Sequence, residues 1–227
     1  DFAEVSLDSG PATWGNAEPK SVPYSAGTPS SVLDEVVVIP FNHPKESEHI
    51  LRANAAHLSC VLIDPLPNRG GLMPASREFL ETLRRVTTEL GILLIFDEVI
   101  SFRLGFEGAQ GAFGVTPDLT TIAKIIGGGF PVGAVTGSRD VMAVFDPRQG
   151  KPLAPHGGTF NANPVTMVAG QAAMSLMTRD EFDRLDVLGD RIRDGIARAF
   201  ADTGVDGQVT GMGSLFRIHM TSAPLTD

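Results

Sequence analysis

Two residues of opposite charge, one at the end of an apolar run and one inside another, are the strongest chemical signal in this sequence. Asp97 ends the run at residues 93–97, and Lys124 stands between alanine and isoleucine residues at 122–126. An amine attacks a carbonyl only when it is unprotonated, and apolar surroundings lower the pKa of a lysine toward neutrality. The other three lysines stand beside prolines or polar residues. We therefore expect Lys124 to be buried and to form a Schiff base.

A buried carboxylate near such an amine is what pyridoxal phosphate chemistry requires. This cofactor is an electron sink while its ring nitrogen keeps a proton, and a carboxylate paired with that nitrogen holds the proton there. Side chains alternate along a strand, so Asp97 and Val99 should share one face while Glu98 points to the other. Asp97 would then reach the ring nitrogen, and Val99 would lie against the ring.

Both residues also have a purely structural explanation. An aspartate after a buried strand can cap the next turn, and a lysine can extend its amine from an apolar strand to water. Either explanation stands for one residue alone. A buried lysine without a partner is costly, however, so the two residues together favour the Schiff-base interpretation.

Three motifs resemble those of the class III aminotransferases, a family of fold type I enzymes that use pyridoxal 5'-phosphate. They are Phe-Asp-Glu-Val at residues 96–99, the glycine-rich run at 123–134 and His-Gly-Gly-Thr-Phe at 156–160. The resemblance covers nearly the whole chain. Within the family, it is greatest to glutamate-1-semialdehyde aminomutase and its transaminase relatives.

The resemblance implies a role for each matching residue. Lys124 would form the internal aldimine and carry the proton between substrate and cofactor, and Asp97 would hold the pyridine nitrogen. Thr159 would bind the cofactor phosphate of the neighbouring subunit in a homodimer, with Gly158 allowing close approach of the backbone. The substrates would be an amine or amino acid donor and a keto acid, aldehyde or ketone acceptor.

The segment at residues 64–71 follows a predicted strand and should lie at the same edge of the sheet. Its Arg69 has the planar fork that binds a carboxylate through two hydrogen bonds, so it is a candidate for substrate binding. A surface arginine is the alternative. Asp64 and Pro67 depart from the family, which usually has glutamate at the first position and in many members glutamine at the second.

Composition excludes several other classes of function. A formal net charge of −9 without a basic run argues against binding to nucleic acid or anionic membranes. No apolar stretch is long enough to span a membrane. The five histidines lack metal-ligand spacing, so we expect no metal site. Cys60, the single cysteine, is expected in the core, and a cytoplasmic location is expected.

Apolar runs separated by amphipathic segments predict an α/β fold, with a mainly parallel sheet and flanking helices. Residues 6–34 should be irregular. Predicted strands are at residues 36–39, 60–63, 92–96, 119–123, 132–136 and 215–220, and predicted helices are at 45–57, 74–90, 164–177 and 179–200. In the last helix, apolar residues at 182, 185, 188, 192 and 196 should pack into the core.

We expect a cofactor-binding large domain at residues 1–177 and part of a smaller C-terminal α+β domain at 178–227. Compared with the family, the chain is expected to lack segments at both ends. Three functions stay open: an aminotransferase, of which an aminomutase is a variant; a truncated pseudoenzyme or interaction fragment with little turnover; and a nucleotide-dependent oxidoreductase. The last is disfavoured, because the dinucleotide-binding fingerprint is absent from the sequence.

Overall fold

A four-stranded sheet organises the chain in the computed structural model, which describes residues 5–6 and 19–225. Its strands lie in the order β1–β2–β3–β4, with β1, β2 and β3 parallel and β4 antiparallel to β3. They are Cys60–Ile63, Leu93–Asp97, Leu119–Ala123 and Gly133–Gly137. The prediction of a mainly parallel α/β sheet is therefore confirmed. Of the segment expected to be irregular, residues 7–18 lie outside the described part, and the expectation is wrong for its last residues, because Ser30–Asp34 form a short helix.

The described residues also form seven α-helices. Helices α1 to α7 are Ser30–Asp34, Pro44–Asn54, Arg77–Leu90, Gly108–Phe113, Arg139–Met142, Pro164–Leu176 and Arg179–Thr203. Short 3-10 turns are found at Ala55–His57, Ser101–Leu104, Lys124–Gly127, Ala143–Phe145 and Pro147–Gln149.

Helix α3 carries the main hydrophobic core. Its stripe of Phe79, Leu83 and Val86 is fully buried against the sheet, as the helical spacing predicted. The helix starts three residues later than expected from Pro74, because the Ser76 hydroxyl accepts a hydrogen bond from the Phe79 amide at 3.2 Å and caps it. Gly91 ends the helix in the left-handed conformation, with φ of 69°.

Strand β1 is buried on one face only, so the expectation of a fully buried strand with Cys60 in the core is wrong. Val61 and Ile63 join the core, whereas Leu62 is 46% exposed and Cys60 is exposed. Alternating side chains point to opposite faces, and α3 covers only one of them. The apolar run in the sequence does not distinguish a strand that is buried on one face from a strand that is buried on both.

The expected strand at residues 36–39 is not formed. These residues are irregular and partly exposed, and in the described part of the chain no strand pairs with them. β-Branched residues favour a strand only where a neighbouring strand takes up their backbone hydrogen bonds. Instead, the Val36 carbonyl accepts a hydrogen bond from the Ser21 hydroxyl.

The C-terminal part consists of α7 and an antiparallel hairpin, in which β5 is Gln208–Met212 and β6 is Leu215–His219. The apolar stripe of α7 is less buried than predicted: Phe182 is buried, whereas Leu188 and Ile192 are 37% and 44% exposed. Leu185 and Ile196 are half-buried, so the described hairpin and loops cover the stripe only in part. The domain boundary at residue 178 stays a prediction. None of the helices described is both long and apolar enough to cross a bilayer.

Candidate active site

Asp97 ends strand β2 at the carboxyl edge of the sheet, where ligands of parallel sheets bind. Its Oδ1 accepts hydrogen bonds from the Val99 amide at 3.0 Å and from the Thr121 hydroxyl at 3.3 Å. Among the described residues no donor reaches its other oxygen, Oδ2. The carboxylate is therefore held by one oxygen and offers the second to a cationic partner.

Glu98 points to the opposite face and is fully buried, as alternation predicted. Its carboxylate accepts hydrogen bonds from the amides of Ala109 at 2.7 Å and Gln110 at 3.1 Å, at the start of helix α4. Burial raises the pKa of Glu98, and these two amides oppose that effect. Glu98 thus anchors α4 to the end of β2. Val99 lies in the turn beyond the strand, so strand alternation does not place it on the face of Asp97.

Asp64 is a second acidic residue at this edge and follows strand β1 directly. Its Oδ1 accepts a hydrogen bond from the Leu66 amide at 2.9 Å. Burial, reinforced by the negative charges of Asp97 and Glu98, raises the pKa of Asp64 to about 6, although the Leu66 amide and the Ser101 hydroxyl act in the opposite direction. The site therefore holds a group that titrates near neutral pH.

Lys124 follows strand β3 directly, so it lies at the same edge as Asp97. The expectation of a buried amine is wrong for this chain, since Lys124 is exposed. Its apolar neighbours are only partly buried and do not enclose it. Lys124 also has a positive φ of 50°, a backbone conformation that is uncommon outside glycine and is often found at functional sites.

The turn that carries Lys124 is packed tightly against helix α6. A side chain on Gly170 of α6 would overlap the backbone carbonyl of Ile126, and one on Gly128 would overlap the carbonyl of Ala169. Gly128 also has a φ of 59°, in the left-handed region. Two glycines thus allow backbone-to-backbone contact, which fixes the position of the Lys124–Gly127 turn relative to α6.

Gly158 and Thr159 lie in an exposed loop before α6. The Gly158 carbonyl accepts a hydrogen bond from the Asn161 amide at 3.0 Å, and the Asn161 side chain lies 3.0 Å from the ring of His156. No described hydrogen bond or ion pair joins Thr159 to Asp97 or Lys124. Within one chain, the contacts of the described residues therefore do not bring the predicted phosphate ligand to the other site residues.

Arg69 is exposed, and its guanidinium contacts Tyr24. Its Nη2 donates a hydrogen bond to the Tyr24 hydroxyl at 2.7 Å, and its guanidinium carbon lies 4.6 Å from the centre of the Tyr24 ring. The C-terminal hairpin holds the same loop, since Arg217 donates to the Asn68 carbonyl at 2.7 Å. Substrate binding by Arg69 stays a prediction.

Two acidic residues of the site have no role assigned from the sequence: Glu98 was only placed on the other face of the strand, and Asp64 was only noted as a departure from the family. Both follow apolar strand residues, and the parallel register of β1 and β2 is the signal that could have placed Asp64 beside Asp97. Among the described residues, no group of three or more His, Cys, Asp or Glu side chains could hold a metal ion.

Comparison with known proteins gives consistent results. The family model of the class III aminotransferases matches residues 22–226. Glutamate-1-semialdehyde 2,1-aminomutase of Caldivirga maquilingensis is 38% identical over 221 residues, which cover 96% of this chain and 49% of that protein. The chain thus spans about half the length of the curated relatives it matches.

Two solved structures share the fold at high identity. An omega-transaminase from Sphaerobacter thermophilus is 55% identical, with a TM-score of 0.94 over 99% of this chain and 51% of that one. A transaminase with PLP bound is 44% identical, with a TM-score of 0.89 over the same shares. Because the family model matches most of the length of this chain, the chain belongs to the class III aminotransferase family.

Proposed function

We propose that the protein is a pyridoxal phosphate-dependent aminotransferase that moves an amino group between an amine or amino acid and a keto acid, aldehyde or ketone. The observation that carries the proposal is the arrangement at the sheet edge: within the described residues the Asp97 carboxylate accepts hydrogen bonds through Oδ1 only, and the adjacent strand leads into Lys124. The 44% identical structure with PLP bound supports the cofactor assignment.

The residues present fit this cofactor, which supplies an electron sink for the bonds around the amino carbon. Asp97 would hold the protonated ring nitrogen, and Thr121 and the Val99 amide would keep its carboxylate in place. Val99 would lie beside the ring. The Lys124 amine would bond to the cofactor aldehyde and move a proton at the substrate carbon.

The proposed site is completed across a homodimer, with Gly158 and Thr159 binding the phosphate of the partner's cofactor. Their exposure, and that of Lys124, supports this arrangement. Large apolar side chains nearby are also uncovered in one chain: Leu153 is 89%, Phe160 81% and Val168 67% exposed. Exposed apolar surface of this kind is typical of an interface. A cytoplasmic location is part of the proposal, and a chain with a single, unpaired cysteine fits a reducing compartment.

The visible absorption of the protein mixed with pyridoxal phosphate tests the proposal. We expect a band that is absent from Lys124→Ala and that an amino donor bleaches. Lys151→Ala, which changes another exposed lysine, is the matched control and should keep the band. An unchanged band in Lys124→Ala would refute the role of Lys124. No band in the unaltered protein would favour a pseudoenzyme or interaction fragment.

An aminomutase is the second candidate, because the relative from Caldivirga maquilingensis is named as one. An aminomutase returns the amino group to a neighbouring carbon of the same molecule, whereas an aminotransferase passes it to a second substrate. Incubation with glutamate-1-semialdehyde alone separates the two. Conversion to the isomer that carries the amino group on the neighbouring carbon, without any added acceptor, would favour the aminomutase.

A further inference from the structure

Strands β1 and β2 are parallel and in register, and their last pair of partners is Ile63 with Phe96. The next residues along each strand are Asp64 and Asp97, so the two acids stand side by side at the carboxyl edge. Neighbouring strands are separated by about 4.8 Å, and paired residues of parallel strands point to the same face. The two carboxyl groups are therefore direct neighbours on one face of the sheet.

Each carboxyl group is fixed from its own strand end. The Leu66 amide holds Oδ1 of Asp64, and the Val99 amide holds Oδ1 of Asp97. Ser101, which is fully buried, links the two strand ends: its hydroxyl donates to the backbone carbonyl of Asp97 at 3.4 Å and acts on the Asp64 carboxyl. Each carboxyl group is thus held through one oxygen.

We propose that Asp64 is a positioning residue that acts through Asp97: its negative charge strengthens the hold of Asp97 on one cationic ring nitrogen. Two anions this close disfavour each other, and a proton or a cation relieves the repulsion. Asp97 contacts the cation, whereas Asp64 adds the second negative charge behind it. The cation is the proposed cofactor's pyridinium, so this role rests on the proposed function, whereas the acid pair does not.

The charged groups that act on Asp64 fit this assignment. They are Asp97 of β2 and Glu98 of the following turn, and both are acidic. Glu98 is already satisfied by two amides of helix α4 and points to the other face.

Carbon-13 NMR of aspartate carboxyl groups in the cofactor-free protein tests the pair directly, with Asp64→Asn assigning the Asp64 signal. We expect the Asp64 signal to titrate with a midpoint near pH 6, and Asp97→Asn to lower that midpoint because one negative charge is removed. Asp140→Asn, at an exposed position, should leave the midpoint unchanged. If the Asp64 signal had a midpoint near pH 4, or if Asp97→Asn did not move that midpoint, the proposed interaction between the two carboxyl groups would be refuted.

Pyridoxal phosphate then tests the role of the pair. We expect the bound cofactor to lower the Asp64 midpoint, and Asp64→Asn to weaken binding about tenfold at pH 8 but less than twofold at pH 5. Asp64→Glu keeps the charge and should restore most of the affinity. A midpoint that the bound cofactor leaves unchanged would overturn the role. If the cofactor does not bind at any pH, the proposed function and the role of Asp64 toward the cofactor both fail. The NMR titration then tests only whether the Asp64 and Asp97 carboxyl groups interact.

Discussion

The close packing of helix α6 on the turn that carries Lys124 gives a quantitative prediction for Gly170→Ala. The added methyl carbon would sit well inside 3.0 Å of the Ile126 carbonyl oxygen, closer than folded proteins allow. Helix and turn must separate by about 1 Å to relieve the overlap, and overpacking of this kind costs about 1–3 kcal/mol. Alanine is a better helix former than glycine by about 1 kcal/mol, which offsets part of that cost.

A matched control isolates the clash from helix propensity. Gly195 lies in the middle of α7, and a side chain there would meet no atom within 4 Å. Gly195→Ala should therefore gain up to about 1 kcal/mol, whereas Gly170→Ala should lose up to about 2 kcal/mol. Urea denaturation of both variants gives the comparison.

The same displacement should affect the site, because it moves the backbone of the turn that begins at Lys124. A misplacement of about 1 Å in a catalytic group costs on the order of a hundredfold in rate. We expect Gly170→Ala to bind pyridoxal phosphate more weakly and to turn over more slowly, with Gly195→Ala unchanged in both. If Gly170→Ala were as stable and as active as Gly195→Ala, the packing argument would be refuted.

Two further predictions concern the buried acids. Because the pKa of Asp64 is raised from 3.8 to about 6, the folded protein loses about 2 kcal/mol of stability as the pH rises from 4 to 7, and Asp64→Asn should remove this loss in urea denaturation at several pH values. If the free energies of unfolding of Asp64→Asn and wild type differed by the same amount at every pH, the titration of Asp64 would not be the cause of the loss. Glu98→Ala leaves the amides of Ala109 and Gln110 without their acceptor and should cost about 1–3 kcal/mol, with faster amide hydrogen exchange in α4.

The elements of the fold that local patterns determine were predictable from the sequence. Strands β1 and β3 have the expected bounds, and Gly91 ends α3 as predicted, since a left-handed cap needs only the local chain. The start of α3 was missed because the Ser76 cap competes with the proline signal at Pro74. The strand expected at residues 36–39 failed for a different reason: a strand depends on its partner, which the local pattern does not reveal.

In the candidate site, too, features that depend on the neighbouring sequence were predictable, whereas features that depend on distant residues were not. Asp97 stands at the end of β2, and Lys124 follows β3 directly. Both placements follow from the order of elements along the chain, so both residues were found from the sequence. The neighbour relation between Asp64 and Asp97 depends on the register of two strands about thirty residues apart, which no short motif encodes. Burial was the least predictable property, because apolar neighbours in sequence need not be neighbours in space.

The exposure of Lys124 changes what the proposed chemistry requires. A Schiff base needs an unprotonated amine, which Ile122, Ile125 and Ile126 were expected to desolvate, yet these side chains are only partly buried and Lys124 is exposed. Desolvation must then be supplied by surfaces that meet the edge of the sheet from outside the described chain. The exposed apolar residues around α6 and the exposed Thr159 loop are where a partner subunit would meet it. In the proposed enzyme, dimer formation would therefore complete the cofactor site, and cofactor binding should strengthen with protein concentration.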